Sequence, residues 1–338
     1  MRFNLFNMKA LVLASPGQIS VIDKPQPEPK RGEVLVHLKS AGLNHRDQWI
    51  REGKYPGIQE GVTLGSDGAG QVIRAGSPEG EPWVGREVII NPNVGWGGNP
   101  AVQSADYKIL GMPVDGTFAE YICVSVDRLA DKPAHLSTAQ AAALPLGGLT
   151  AFRAVFTKGE LKAGEKVLIS GVGGGVAQFA FQFAMAAGAE VWVTSGSQEK
   201  IDYAVKLGAK GGFNYKEEGW HKAAKKAAEG GFDLIIDSAG GNPMVQLIDT
   251  LRPAGRLVYY GATLGVPANI PLHKMFWQQI RLQGSTMGND EEFQEMIRFV
   301  ENHQLEPIME EPLPFDSIME AFDAMKEGRQ FGKLVVLI

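Results

Sequence analysis

Residues 166–200 read Lys166-Val-Leu-Ile-Ser170, then Gly171-Val-Gly-Gly-Gly-Val-Ala177, then an apolar stretch to Gly188, then Glu190-Val-Trp-Val-Thr-Ser-Gly-Ser-Gln-Glu-Lys200. The first run is short and apolar, which suits a strand buried on both faces. Residues 176–187 set Phe179 and Phe183 four apart, with Ala177, Ala180 and Ala184 beside them. That spacing suits a helix packed closely on a sheet. Strand, glycine turn, helix and strand together open a dinucleotide-binding unit. Backbone without Cβ lets a pyrophosphate approach, and unpaired N–H groups at the helix start bind its charge. Without such flanks the same string is a turn that binds nothing.

The alternation continues downstream. Residues 191–194, 212–214, 234–237, 257–261 and 281–285 read as strands, and 198–207, 217–228, 243–251 and 272–279 as helices. This implies an α/β unit with a doubly wound parallel sheet. Upstream, residues 8–125 read as mostly β, with runs at 8–14, 33–40, 69–75 and 87–91 between Pro and Gly turns. A helix is expected over 44–52, irregular chain over 92–116, and helices over 137–145 and 150–158. Amphipathic helices at 290–303 and after Asp316 then precede a closing strand at 333–338.

A chain of 338 residues suggests two domains. The formal net charge of −5 gives no reason to expect nucleic acid or an anionic membrane as partner. No apolar run is long enough to span a bilayer, and a cytoplasmic protein is expected. The single cysteine, Cys123, excludes an intrachain disulfide and a cysteine-rich zinc site.

The residues after the second strand bear on the cofactor. An NAD site ends that strand with Asp or Glu for the ribose hydroxyls. Here Thr194-Ser-Gly-Ser197 stands instead, with Glu199 and Lys200 just beyond and Tyr215 after the third strand. Hydroxyls at Ser195, Ser197 and Tyr215 can donate to a 2′-phosphate, and Lys200 can neutralise it. NADPH is therefore favoured over NADH. Lys200 read alone is equally an exposed helix charge. Gly171, Gly173, Gly174, Gly175 and Val176 are the expected pyrophosphate contacts. Ser238, Gly261, Met287 and Gly288 follow strand ends, where ligands gather in such sheets.

Several further segments carry a resemblance. They are Ala41-Gly-Leu-Asn-His-Arg-Asp47, Leu64-Gly-Ser-Asp-Gly-Ala-Gly70, Gly116-Thr-Phe-Ala-Glu-Tyr121, Ala141-Ala-Ala-Leu-Pro145 and Leu149-Thr-Ala-Phe152. With the glycine turn they make nearly the whole chain resemble the medium-chain dehydrogenase/reductase superfamily. The resemblance implies a GroES-like β domain over 1–129 and a Rossmann domain over 130–268. Residues 269–338 would supply the last Rossmann strand and return to the first domain. Zinc alcohol dehydrogenases of that superfamily hold a catalytic metal with Cys, His and Cys. Matching their motifs places Asn44, Ser66 and Leu146 at those positions, so no metal is expected. The implied branch is the zinc-free quinone oxidoreductases, and the implied substrate a quinone or an α,β-unsaturated carbonyl. A zinc-free carbonyl or alcohol dehydrogenase remains open, as does an NADPH-binding protein without turnover.

The resemblance also points to Asn44, Tyr55 and Trp49 around the substrate, with Asn44 near the nicotinamide ribose as well. Thr150 and Lys333 would lie near the cofactor. Each has a plainer reading: Asn44 as a helix cap, Trp49 as core, Lys333 as a surface charge. Trp96 either packs down or lines a pocket. Family members pair through the Rossmann sheet edge, so a homodimer or homotetramer is implied, with Leu257–Tyr260 and Arg281–Ser285 as candidate edge segments.

Overall fold

A computed structural model describes residues 7–338. Their contacts divide the chain into two compact units. The first runs to Leu146 and resumes with Asn289–Ile338, and the second is Gly147–Gly288.

The first unit is β-rich. β1 (Asn7–Ser15) and β2 (Gln18–Pro25) form an antiparallel ribbon. The sequence reading missed β2, which keeps mostly exposed side chains and so lacks a one-sided apolar stripe. β3 (Glu33–Gly42) leads into α1 (His45–Arg51), followed by β4 (Asp67–Ala75) and β5 (Glu87–Ile90). Residues 92–116, expected to be irregular, hold a small sheet of β6 (Asn93–Val94), β7 (Lys108–Leu110) and β8 (Pro113–Val114). These strands are two or three residues long, too short to register as a periodic signal. β9 (Tyr121–Ser125) and β10 (Leu129–Asp131) complete this part, and α2 (Thr138–Ala143) packs on β3 and β4.

Ser137 caps α2 in a capping box with Gln140. α3 (Pro145–Phe152) begins where the first of the two predicted helices was to end. Proline lacks the N–H that a first helical residue leaves unpaired, so Pro145 opens a helix better than it closes one. A π-helical turn, Arg153–Thr157, follows where a regular helix was expected.

The second unit alternates strand and helix as read: β11 (Lys166–Ile169), α4 (Gly175–Ala186), β12 (Glu190–Ser195), α5 (Gln198–Lys206), β13 (Gly211–Asn214), α6 (Trp220–Ala227), β14 (Phe232–Asp237), α7 (Pro243–Thr250), β15 (Leu251–Tyr259), α8 (Leu272–Gln278) and β16 (Arg281–Gly284). Among the described residues these strands form one six-stranded parallel sheet in the order β13-β12-β11-β14-β15-β16. Strand order reverses between β11 and β14, the crevice where such sheets bind dinucleotides. Val167, Leu168, Ile169, Leu234, Ile235 and Ile236 are fully buried in the two central strands. Leu257–Tyr260 does not form an edge, because β15 is paired on both sides; β16 alone ends the sheet on that flank.

The return consists of α9 (Asp290–Asn302), β17 (Leu313–Pro314), α10 (Ile318–Glu327) and β18 (Val335–Leu337). β18 pairs antiparallel with β3 and parallel with β17, inside the sheet ordered β10-β5-β4-β3-β18-β17. Phe322 of α10 meets Phe118 edge-on at 6.1 Å in the core of this unit. Both unit boundaries thus fall later than the ends expected at 129 and 268. Residues 130–146 pack on the first unit's sheet, where the Ala142 carbonyl comes so near Gly42 that a Cβ there would stand 2.6 Å away. On the described residues no helix is long and apolar enough to cross a membrane.

Candidate active site

In the first unit the decisive residues meet where β3 passes into α1. Asn44 is the N-cap of α1, extended at φ −130° and ψ 153°. Asp47, three residues on, accepts the Asn44 backbone N–H at 2.8 Å. This cap leaves the Asn44 side chain to reach elsewhere. Its Nδ2 donates to Asp67 Oδ2 at 2.9 Å, and its Oδ1 accepts from Lys333 Nζ at 2.7 Å. Lys333 Nζ also donates to the Leu43 carbonyl at 2.8 Å and to Asp67 Oδ2 at 2.9 Å. Asp67 Oδ1 accepts the Leu146 N–H at 2.7 Å.

An ammonium has three N–H donors, and all of Lys333's are thereby used inside the first unit. The reading of Lys333 as a surface charge is corrected, since only 3% of the residue is exposed. The Asp67–Lys333 pair is buried and hydrogen-bonded at each charged atom. Such pairs contribute little net stability while complete, but removing one partner costs about 3–5 kcal/mol through the charge left behind.

A second cation lies alongside. Arg46 Nη1 donates to Ser66 Oγ at 2.6 Å and to the Leu110 carbonyl at 2.8 Å, and Nη2 to the Met112 carbonyl at 3.0 Å. Its Nε donates to Tyr55 Oη at 3.3 Å. Ser66 Oγ in turn donates to the Leu110 carbonyl at 2.8 Å. Trp49 is half-buried on α1, with its ring 6.5 Å from that of His45. Trp96 packs down: its ring meets Tyr107 edge-on at 5.3 Å and its Nε1 donates to the Asn99 carbonyl.

The zinc site of the resembling dehydrogenases does not fit these residues. Asn44 Oδ1 faces an ammonium, Ser66 Oγ is bound to a guanidinium, and Leu146 has no side-chain donor atom. Catalytic zinc takes Cys, His or carboxylate ligands with a position left open. Among the described residues, no group of three or more His, Cys, Asp or Glu could hold a metal.

The second unit gathers the remaining candidates at one end, since parallel strands present their C-terminal ends together. Gly171 turns at φ +65°, and its N–H donates to Thr194 Oγ1 at 3.1 Å. Gly174 is the N-cap of α4, in ordinary extended geometry and without a capping side chain. The first intrahelical bond runs from the Gln178 N–H to the Gly174 carbonyl, so the N–H groups of Gly175, Val176 and Ala177 precede it. Gln178, not anticipated from the sequence, braces the turn by donating to the Val172 carbonyl at 2.6 Å. A Cβ on Gly173 would stand 3.1 Å from Lys200 Nζ, which places that ammonium over the turn.

At the end of β12, a Cβ on Gly196 would lie 2.7 Å from Tyr215 Oη and 2.8 Å from Lys216 Cε. Glycine there admits both side chains beside Ser195 and Ser197. Lys216 was missed because its position becomes meaningful only once β13 lies next to β12. Ser197 caps α5 and its backbone N–H donates to Ser195 Oγ at 3.2 Å. Ser238 and Gly261 are adjacent beyond β14 and β15, where a Cβ on Gly261 would meet the Ser238 carbonyl at 2.8 Å. Thr150 donates to Met287 Sδ at 3.8 Å, and Met287 turns at φ +44°. These residues fit a dinucleotide: glycine backbone for the pyrophosphate, and cations with hydroxyls beyond the second strand.

Comparison with known proteins finds two family models along the chain. Residues 30–134 match the family model "Alcohol dehydrogenase GroES-like domain" and residues 175–302 match "Zinc-binding dehydrogenase". A zinc-type alcohol dehydrogenase-like protein of Leptosphaeria maculans is 35% identical over 96% of this chain and 95% of its own. A crotonyl-CoA carboxylase/reductase of Cereibacter sphaeroides is 28% identical over 95% of this chain and 83% of its own. The crystal structure of an NAD-dependent alcohol dehydrogenase superposes with a TM-score of 0.91 at 35% identity, covering 98% of this chain and all of the other.

Asp47 gives the site a pH signature. Burial pushes its carboxyl from 3.8 up to about 6, against the lowering effects of Arg46 and the Asn44 N–H. Its Oδ1 has no hydrogen-bond partner. The folded chain therefore holds this proton between pH 3.8 and about 6 while the unfolded chain releases it, so stability falls as pH rises through that window. Asp47→Asn keeps an oxygen for the cap and removes the titration. In urea unfolding at stepped pH, the native protein is expected to lose stability relative to this variant from pH 3.8 to about 6, and to run parallel to it above. Parallel behaviour throughout would show an unshifted carboxyl.

Proposed function

The chain belongs to the medium-chain dehydrogenase/reductase superfamily and is an oxidoreductase of that family. On that premise we propose that it is an NADPH-dependent, zinc-independent reductase of quinones or α,β-unsaturated carbonyls. The observation that carries this reading is the pairing of Asn44 with Lys333 and of Ser66 with Arg46 at positions where relatives would ligate metal. Reducing a simple ketone calls for strong polarisation of its oxygen, which a metal supplies. A conjugated acceptor spreads the developing charge, and hydrogen-bond donors suffice to hold it.

Asn44 has one Nδ2–H left after its bond to Asp67, and this is the proposed donor to the substrate oxygen. Tyr55 Oη accepts from Arg46, so its own proton remains to donate. Trp49 offers an aromatic face to a flat substrate. NADPH, when bound, supplies the hydride. Gly171, Gly173, Gly174, Gly175 and Val176 would hold its pyrophosphate, and Ser195, Ser197, Lys200, Tyr215 and Lys216 its 2′-phosphate. Thr150, Ser238, Gly261 and Met287 are assigned to the nicotinamide end.

A zinc-free carbonyl or alcohol dehydrogenase is the second reading, favoured by relatives named alcohol dehydrogenase. The name of the Cereibacter relative instead includes reduction of a conjugated thioester. Turnover with NADPH on 1,4-benzoquinone, trans-2-hexenal and hexanal separates the two. Quinone or enal is expected to exceed hexanal by at least about tenfold in kcat/KM, with no response to added zinc. Preference for hexanal would support the second reading, and tight NADPH binding without turnover would sink both.

Gly174→Val tests the turn cleanly. A Cβ at Gly174 meets only the Gly171 carbonyl, at 3.6 Å, and the backbone there suits any residue, so the fold should persist while the cradle is filled. NADPH binding and activity are expected to vanish together; retained affinity would refute the assignment. Replacing Lys200 and Lys216 with Ala is expected to raise KM for NADPH by about tenfold or more, leaving KM for NADH unchanged.

We also propose a homodimer through β16. This strand ends the sheet, and α8, which leads into it, buries none of its residues. Val266, Phe276 and Trp277 are 87%, 65% and 80% exposed, an apolar surface that pairing would cover. Sedimentation is expected to give a dimer for the native chain and a monomer for Trp277→Glu. A native monomer would overturn the assignment.

A further inference from the structure

We propose that Lys333 is the positioning residue of this metal-free site, acting through Asn44. The inference rests on the reading of Asn44 as the donor to the substrate oxygen. A side-chain amide can rotate by half a turn with almost no change of shape, exchanging its oxygen for its nitrogen. An unanchored Asn44 would therefore offer the substrate oxygen a donor in one state and a repelling acceptor in the other.

The two neighbours of Asn44 admit one state only. Lys333 Nζ, 2.7 Å from Oδ1, can donate and cannot accept. Asp67 Oδ2, 2.9 Å from Nδ2, can accept and, as a carboxylate, cannot donate. Rotating the amide would set donor against donor and acceptor against acceptor in a buried site. Lys333 Nζ is itself held by the Leu43 carbonyl and Asp67, so the ammonium cannot follow a rotating amide. The single remaining Nδ2–H thus has one direction. A fixed internal cation does here what a bound metal does for its ligands, which is to set their orientation before substrate arrives.

Lys333→Met alone leaves Asp67 as an uncompensated buried charge, which works against folding, so the test uses Lys333→Met together with Asp67→Asn, which removes both charges. A double-mutant cycle crosses this pair with Asn44→Ala. Folding is checked by thermal melts, NADPH affinity by fluorescence, and kcat and KM with 1,4-benzoquinone and trans-2-hexenal. Asn44→Ala is expected to lower kcat by about tenfold or more, as loss of a charge-stabilising donor does. The neutral pair is expected to lower kcat by a comparable factor in the native background, and by less than about twofold once Asn44 is Ala. NADPH affinity should stay within about twofold, since the ammonium spends no donor on the cofactor.

Losses that multiply independently would overturn the proposal while leaving the role of Asn44 standing. A silent Asn44→Ala would overturn both. Weaker NADPH affinity with kcat intact would return Lys333 to the cofactor site.

Discussion

The first unit is organised around one carboxylate. Asp67 holds the ammonium of Lys333, the amide of Asn44 and the backbone N–H of Leu146, while its own carbonyl accepts from Thr117. Five stretches of chain are tied at this residue: β4, the start of α1, the loop before β9, the start of α3 and the approach to β18. A buried charge tolerates this role only when it is paired and hydrogen-bonded. The Leu43 carbonyl completes the set by taking the third proton of Lys333. Loosening any one member exposes the others to an unpaired polar atom in the interior, so the site is rigid for the same reason that it is costly to alter.

On the reading proposed above, this arrangement lets the chain keep the family scaffold without a metal. A divalent cation both orients its ligands and polarises the substrate. In that reading Lys333 and Arg46 take the first role, because each binds a side chain at a position matched to a metal ligand. In the same reading Lys333 has no donor left for the substrate, so polarisation falls to neutral hydrogen-bond donors. Substrates that already delocalise their developing charge suit such a site.

Much of the fold was legible because its signals are local. The glycine turn of α4, the buried runs of β11 and β14 and the caps at Asn44 and Ser137 each depend on residues within one or two turns of one another. β2 was not legible, since an exposed ribbon carries no apolar stripe. The site was legible in part. Asn44 and Tyr55 stood out in the matched segments, and the hydroxyls after β12 by their place beyond the second strand. Lys333 could be named too, but its partners could not: Asp67 lies 266 residues away and Leu43 lies 290 away. Arg46 and Asp67 stood in plain view inside the quoted motifs, and only folding shows what they bind. Spacing along the chain cannot reveal a contact that the return of α9, α10 and β18 creates.

The position of β18 has a consequence for how the protein is made. Val335 pairs with Gly42 and Leu337 with Ser40, so part of β3 gains its neighbour only from residues translated after the whole second unit. The second unit, Gly147–Gly288, is contiguous and emerges whole before them. On the ribosome the inserted unit is therefore complete while the unit that precedes it in sequence is still waiting. Through that interval the Ser40–Gly42 end of β3 is an open edge beside a carboxylate with no counter-ion, and open edges template wrong pairings. At roughly 5–20 residues per second the wait for β18 lasts several seconds. Chaperone demand should concentrate there, and nascent chains stalled short of Lys333 should be the species that aggregate.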